Sequence, residues 1–178
     1  RENKFQMTLL GWAVFNHRYY ASKALLECGA DPNAKDYINE TPLIYAAQVF
    51  ATSDYLKLLL AYGGDVNTRS NDVQNITPLM AAVSYRLESV KLLVMAGANV
   101  NDTVGDNGMT VLNWACIMDK VDIVEYLIID CKADYIRPMI NNKSQNIEYI
   151  NNMDFQPGTP EYASKMRVLD YIKKHDGK

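Results

Sequence analysis

The chain has 178 residues, 48% of them hydrophobic, enough for one ordinary domain or for an array of about four to five short repeats. Lys and Arg number 18 against 21 Asp and Glu, a formal net charge of -3. That balance argues against a phosphate-backbone binder, whose affinity needs a clustered basic face. No apolar run approaches the ~18 residues a membrane span needs. The three cysteines, Cys28, Cys116 and Cys131, lack the C-x-x-C spacing of a zinc or redox site.

Taken in chain order, four threonine-led segments align. They are Thr8-Leu9-Leu10-Gly11-Trp12-Ala13, Thr41-Pro42-Leu43-Ile44-Tyr45-Ala46, Thr77-Pro78-Leu79-Met80-Ala81-Ala82 and Thr110-Val111-Leu112-Asn113-Trp114-Ala115, at spacings of 33, 36 and 33. Each begins a predicted helix: a threonine side chain accepts a backbone N–H at the helix start, and proline at the next position gives up only an N–H that would be unpaired anyway. Alanines then keep one helix face thin. A second ladder follows each segment, with Leu25-Leu26 before Gly29, Leu59-Leu60 before Gly63 and Leu92-Leu93 before Gly97. The leucines predict the packing face of a second helix, and the glycines stand where a left-handed C-cap ends it. A degenerate fourth copy is Asp130-Cys131-Lys132-Ala133-Asp134, with Lys132 in the glycine position and an irregular ending expected there.

These two ladders resemble the ankyrin family, whose repeat is about 33 residues long and opens T-P-L-H-x-A. Gly29 to Ala47 matches best, and the resemblance covers about residues 7 to 138. It implies an all-α ankyrin repeat solenoid of helix-turn-helix repeats with hairpin loops, each repeat burying its apolar face on its neighbours. Repeats fall at about 7–38, 39–74, 75–107 and 108–138. The histidine usual after T-P-L is replaced by Gly11, Ile44, Met80 and Asn113, and the loop from Gly63 to Thr77 is two residues longer than that from Gly29 to Thr41.

Beyond the repeats, 139–158 reads as an Asn-rich insertion. Its asparagines and serine compete with helix for local hydrogen bonds, so an irregular, mobile stretch is expected. Thr159-Pro160-Glu161 starts another helix, with Tyr162, Met166, Leu169 and Ile172 at helical spacing and Lys173-Lys174-His175 in its last turn. The segment 159–178 is therefore expected to be a C-terminal cap helix with a polar outer side. Residues 1 to 6 are too few to cap the first repeat, and the sequence opens on Arg1, so upstream sequence or a removed leader is expected.

Catalysis is not expected. The two histidines, His17 and His175, stand at opposite ends of the array, and a linear stack does not gather a Cys-His or Ser-His-Asp set. Cys116 occupies the small-residue core position of Ala47 and reads as packing. Of four Asn-x-Ser/Thr sequons, those at Asn39 and Asn75 precede the helix-starting threonines and read as turn chemistry; the others begin at Asn101 and Asn142. No cofactor, metal, nucleic acid or small-molecule substrate is expected.

In ankyrin proteins the partner lies along hairpin tips and the outer side of the first helices. Carried over by position, the tips hold Tyr37, Ile38 and Glu40, then Val73, Gln74 and Ile76, then Asp106, Asn107 and Met109. The variable helix positions hold Phe15 and Asn16, Gln48 and Val49, Ser84 and Tyr85, Ile117 and Met118. Aromatic residues and Met anchor interfaces, so this face is the expected partner-binding site. Trp12, Tyr45 and Trp114 lie one turn away, suited equally to packing between repeats.

The segment Met7 to Asn16 and the loosely patterned repeats resemble small ankyrin proteins of Gram-negative bacteria. Some of these act as immunity proteins that bind type VI secretion phospholipase effectors, often in the periplasm. The resemblance implies a protein partner, a cognate toxic lipase, with Phe15, Tyr37, Tyr85 and Met118 in contact. Alternatives of other kinds are an ankyrin effector or scaffold recruiting a host or signalling protein, a cytoplasmic location, and a periplasmic factor in oxidative-stress defence.

Overall fold

Threonine side chains cap the first helix in three repeats, while Thr41 starts its helix without a side-chain cap bond. In the computed structural model, which describes residues 7–49, 52–70, 75–105, 108–136 and 146–175, Thr8 accepts from the Gly11 N–H at 3.0 Å. Thr77 does the same for Met80 at 3.3 Å. Thr110 and Asn113 form a reciprocal capping box: the Asn113 N–H donates to the threonine hydroxyl at 3.1 Å, and the Thr110 N–H donates to the asparagine side chain at 2.8 Å. Pro42 and Pro78 occupy the first helical position, as their missing N–H allows.

The chain divides into two compact units, Arg1–Asn99 and Val100–Lys178. The first is built from three helix pairs: α1 (Leu9–Phe15) with α2 (Tyr19–Glu27), α3 (Pro42–Ala47) with α4 (Asp54–Ala61), and α5 (Pro78–Val83) with α6 (Leu87–Met95). α1 packs on α3 and α3 on α5, while α4 packs on α6. Leu10, Ala13, Leu43, Ala46, Leu79 and Ala82 fill the space between the inner helices, and Leu56, Leu59, Val90 and Leu93 that between the outer ones. Each large aliphatic side chain buried this way contributes about 1.5–3 kcal/mol. Gly63 and Gly97 close the outer helices at φ +84° and +95°, values that a side chain would resist.

A polar ladder runs beside this core. Asn33 donates its side-chain amide to the Gly63 carbonyl at 2.9 Å and accepts from the Asp65 N–H at 2.7 Å. One repeat on, Asn67 does the same for the Gly97 carbonyl at 3.3 Å and the Asn99 N–H at 3.1 Å. One side chain thus satisfies a donor and an acceptor that the outer helix and its following turn leave unpaired.

The second unit opens with a two-residue antiparallel hairpin, β1 (Thr103–Val104) and β2 (Met109–Thr110), pairing Thr103 with Thr110 and Val104 with Met109. α7 (Val111–Ile117) follows, then α8 (Val121–Glu125), which widens into a π-helical turn over Tyr126–Asp130. From the residue before the helix to the glycine position, this repeat counts one residue more than the first and third. The π turn absorbs it: the Ala133 N–H reaches back six residues to Leu127, where Ala98 reaches five to Leu93. Lys132 then takes the left-handed turn at φ +56° in place of glycine.

The expected irregular insertion is corrected over its second half. Residues 146–152 form a helix, α9, which packs on α7, and α10 (Pro160–His175) packs on α8. Asn146 stands 33 residues after Asn113, and the two side chains hydrogen-bond at 2.7 Å with both residues buried. α9 and α10 therefore continue the repeat as a degenerate fifth helix pair. Ile150, Val168 and Ile172 are its buried apolar positions. The outer side of α10 is polar, and Arg167 hydrogen-bonds the Glu125 carboxylate and the Ser164 hydroxyl.

Candidate functional site

The structure presents most of the expected contact residues and withdraws two. Phe15 is 51% exposed, Tyr37 57% and Tyr85 36%. All three lie in the first unit, on α1, on the hairpin tip before α3 and just past the end of α5. Asn16, Ile38, Gln48, Ile76 and Ser84 are half-buried around them. In the second unit Ile117 and Met118 are exposed at the end of α7, and Met109 is half-buried on β2. Val73, Gln74, Asp106 and Asn107 lie outside the described residues.

Glu40 and Val49 are buried, which corrects their assignment to the exposed face. Counting from Thr41 sets Val49 level with Tyr85, and α3 ends at the same repeat position as α5, but the connection that follows it has six residues where those of the first, third and fourth pairs have three. The Val49 N–H bonds the Ala46 carbonyl at 3.2 Å as the Tyr85 N–H bonds that of Ala82 at 3.0 Å, yet Val49 is buried and Tyr85 exposed. Glu40 sits at the base of the hairpin. Its N–H donates to the Asp36 carboxylate at 2.9 Å, and the Tyr45 hydroxyl donates to the same carboxylate. Burial first, and then the bond to Asp36, pushes the Tyr45 phenol well above its ordinary range.

The three residues left between packing and contact separate clearly. Tyr45 is buried and packs against Phe15, ring centroids 5.7 Å apart at 74°, a T-shaped pair worth about 0.5–1.5 kcal/mol beyond its area. Phe15 is thus held in place while much of its ring faces solvent. Trp114 is half-buried, and Trp12 is 42% exposed. Fixed aromatic groups over a buried support lose little side-chain entropy on binding, which favours contact residues of this kind.

Sequence reasoning missed a second aromatic group. Tyr19 lies 5.8 Å from Tyr20 and 5.5 Å from Tyr55, and His17 lies 6.4 Å from Tyr55. Tyr20 is almost fully exposed. The Tyr19-Tyr20 doublet at the start of an amphipathic helix was the available signal.

Other chemistry is weak here. Burial, followed by the charge of Asp119, pushes the Cys116 thiol up to about 12, the reverse of what a nucleophile needs. Asn39 and Asn75 adopt left-handed turns at φ +59° and +52°, the turn role expected of these sequon asparagines. Among the described residues no group of three or more His, Cys, Asp or Glu could hold a metal ion, and no helix is long and apolar enough to cross a membrane.

Paired helices stacked by side-to-side packing, threonine starts and glycine ends define a repeat protein of helix-turn-helix units. The chain belongs to the ankyrin repeat family, whose pattern, in three copies, matches residues 43–139. Protein PhlB of Serratia liquefaciens is 41% identical over 104 residues, covering 57% of this chain and 45% of PhlB. Neurogenic locus notch homolog protein 1 of Mus musculus is 33% identical over 139 residues, 78% of this chain and 5% of that protein. The corresponding notch homolog protein 2 of Homo sapiens is 33% identical over 126 residues, 70% and 5%. The chain thus spans less than half the length of each of these relatives. Ankyrin repeats mark it as a protein–protein interaction module.

Proposed function

We propose that the chain is a non-catalytic immunity protein that binds a bacterial type VI secretion phospholipase in the periplasm and blocks substrate access to it. The observation that carries the binding face is the exposed set Phe15, Tyr37 and Tyr85, with Phe15 seated on buried Tyr45. Ile117 and Met118 offer contacts of the same chemistry in the second unit. The likeness to a bacterial protein of ankyrin-matching sequence agrees with a bacterial setting. The lipase itself rests on the resemblance of Met7 to Asn16 and the loose repeats to lipase-immunity ankyrin proteins.

The test is a pull-down and inhibition assay with a hydrolase bearing G-x-S-x-G encoded beside this chain. Stoichiometric loss of lipase activity is the expected result. Tyr37→Ala and Tyr85→Ala should each weaken the complex by about 1–4 kcal/mol, as for anchor aromatics. Glu27→Ala and Lys57→Ala on the outer helices should change it by less than about 0.5 kcal/mol. A complex that ignores the tyrosines and responds to the outer helices overturns the face. An adjacent lipase that neither binds nor is inhibited overturns the immunity reading.

A further inference from the structure

The hairpin before α3 is closed by a single acid. One carboxylate oxygen of Asp36 accepts the N–H groups of Ile38 at 3.0 Å and Glu40 at 2.9 Å. The Asp36 N–H donates to the Glu40 carbonyl at 3.1 Å, and the Asp36 carbonyl accepts from the Asn39 N–H at 3.1 Å. Tyr37 is the first residue of the turn that these bonds close, so its placement follows that of Asp36. The other carboxylate oxygen takes the Tyr45 hydroxyl, which the Glu40 side chain also bonds. Asp36, Glu40 and Tyr45 are all buried, and the buried carboxylate of Asp36 is met by two amides and a phenol.

Tyr45 faces two ways. Its hydroxyl reaches the hairpin, and its ring packs against Phe15 and lies beside Gly11. One side chain of α3 thus touches the support of both Phe15 and Tyr37, which stand on different elements. The next hairpin supplies the contrast. There the Ser70 N–H donates to the Ile76 carbonyl at 3.0 Å, and the Ser70 hydroxyl accepts from the Ile76 N–H at 2.9 Å. The base is closed in the same manner, but four residues after Thr77 stands Ala81, where Tyr45 stands four after Thr41. A methyl group makes no hydrogen bond. The phenol link to the hairpin base is therefore an addition in the second repeat, not part of the packing that the repeats share.

We propose that Tyr45 is a positioning residue of the binding face, coupling Phe15 to the hairpin tip so that a partner engages Phe15 and Tyr37 as one preorganised element. The inference rests on the reading of both residues as contacts. Phe15 buttresses the Tyr45 ring, the ring keeps its hydroxyl on Asp36, and Asp36 keeps the turn closed. Slackening either end loosens the other, and an element already ordered in the free chain loses less entropy on binding.

The first test is amide exchange in the free, full chain. Tyr45→Phe keeps the ring against Phe15 and removes the hydroxyl. The Ile38 and Glu40 amides should then exchange about tenfold faster, and about threefold faster in Phe15→Ala, with the Ala81 amide of α5 unchanged. Exchange at Ile38 and Glu40 that Phe15→Ala leaves unaltered overturns the coupling, whatever the partner. Should Tyr45→Phe loosen α5 as well, Phe15→Ala decides alone, since it removes a half-exposed ring. The second test measures affinity for the hydrolase encoded beside this chain, with Phe15→Ala, Tyr37→Ala and both together. In the wild-type background the double variant should weaken the complex about threefold less than the product of the single effects; in the Tyr45→Phe background the effects should multiply. Effects that multiply in both backgrounds overturn the proposal and leave the immunity reading standing. Absence of any complex overturns that reading instead, and the exchange result then decides the coupling.

Discussion

The first and last helix pairs of the chain solve opposite problems. α1 and α2 leave Leu9, Trp12, Ala21 and Ala24 exposed around an open apolar depression. α9 and α10 bury Ile150, Val168 and Ile172 and leave Glu161, Asp170, Lys173 and Lys174 exposed. The first pair exposes apolar side chains, and the last exposes mostly charged ones. In a quasi-one-dimensional stack each pair is stabilised by its neighbours, so the two pairs should respond very differently to substitution.

Ile150→Ala should sharpen that contrast most. The side chain is fully buried, and its loss should cost about 2–5 kcal/mol by urea denaturation. A loss under about 1 kcal/mol would mean that α9 does not cap the second unit. Asn146→Ala comes next, at about 1–3 kcal/mol, because it leaves the buried Asn113 amide without its 2.7 Å acceptor. Stability unchanged by this substitution would remove the case for a fifth pair built around that bond. Leu9→Ala should cost less than about 0.5 kcal/mol, although the residue is a large aliphatic in a helix. A large loss would show that the outward side is already covered, and the comparison between the pairs would break.

The smallest effect is a pH dependence in the last pair. The hydrogen bond from Arg167 holds the Glu125 carboxyl below its ordinary value. A depressed folded-state value gives stability that is present above the unfolded value and lost as pH falls through the folded one. Arg167→Ala should therefore lower stability near neutral pH and shift acid unfolding to higher pH. The two proteins should converge at pH values below the folded-state value of Glu125. Parallel curves down to the lowest pH would show that the pair contributes nothing to the packing of α10.

Helix starts were legible because their chemistry is local. Thr8, Thr77 and Thr110 each accept an N–H only three residues away. The exposed Phe15, Tyr37 and Tyr85 were legible because repeat period alone places them. Val49 was not: α3 ends where the repeat period places it, but the connection after it has six residues where that after α5 has three. Glu40 was hidden for a related reason, since its place is set by Asp36 and Tyr45 within the hairpin base. The α9 helix lay behind a composition rich in asparagine, and only the tertiary partner of Asn146 separates a satisfied buried amide from a solvated loop residue. Lys132 was a readable departure, and the structure adds its cause in the extra residue wound into the π turn.

The amide ladder carries a consequence for mechanics. Each of Asn33 and Asn67 grips the next repeat by one donor and one acceptor on the same planar group. Sliding one repeat past another by a single residue would move both targets away at once, so the grip resists shear more than it resists hinging. Bending about the line of asparagines leaves the bonds nearly unstrained. Within the first unit the ladder therefore acts as a flexible spine, along which the repeats can open or close like leaves of a fan while their order and offset stay locked.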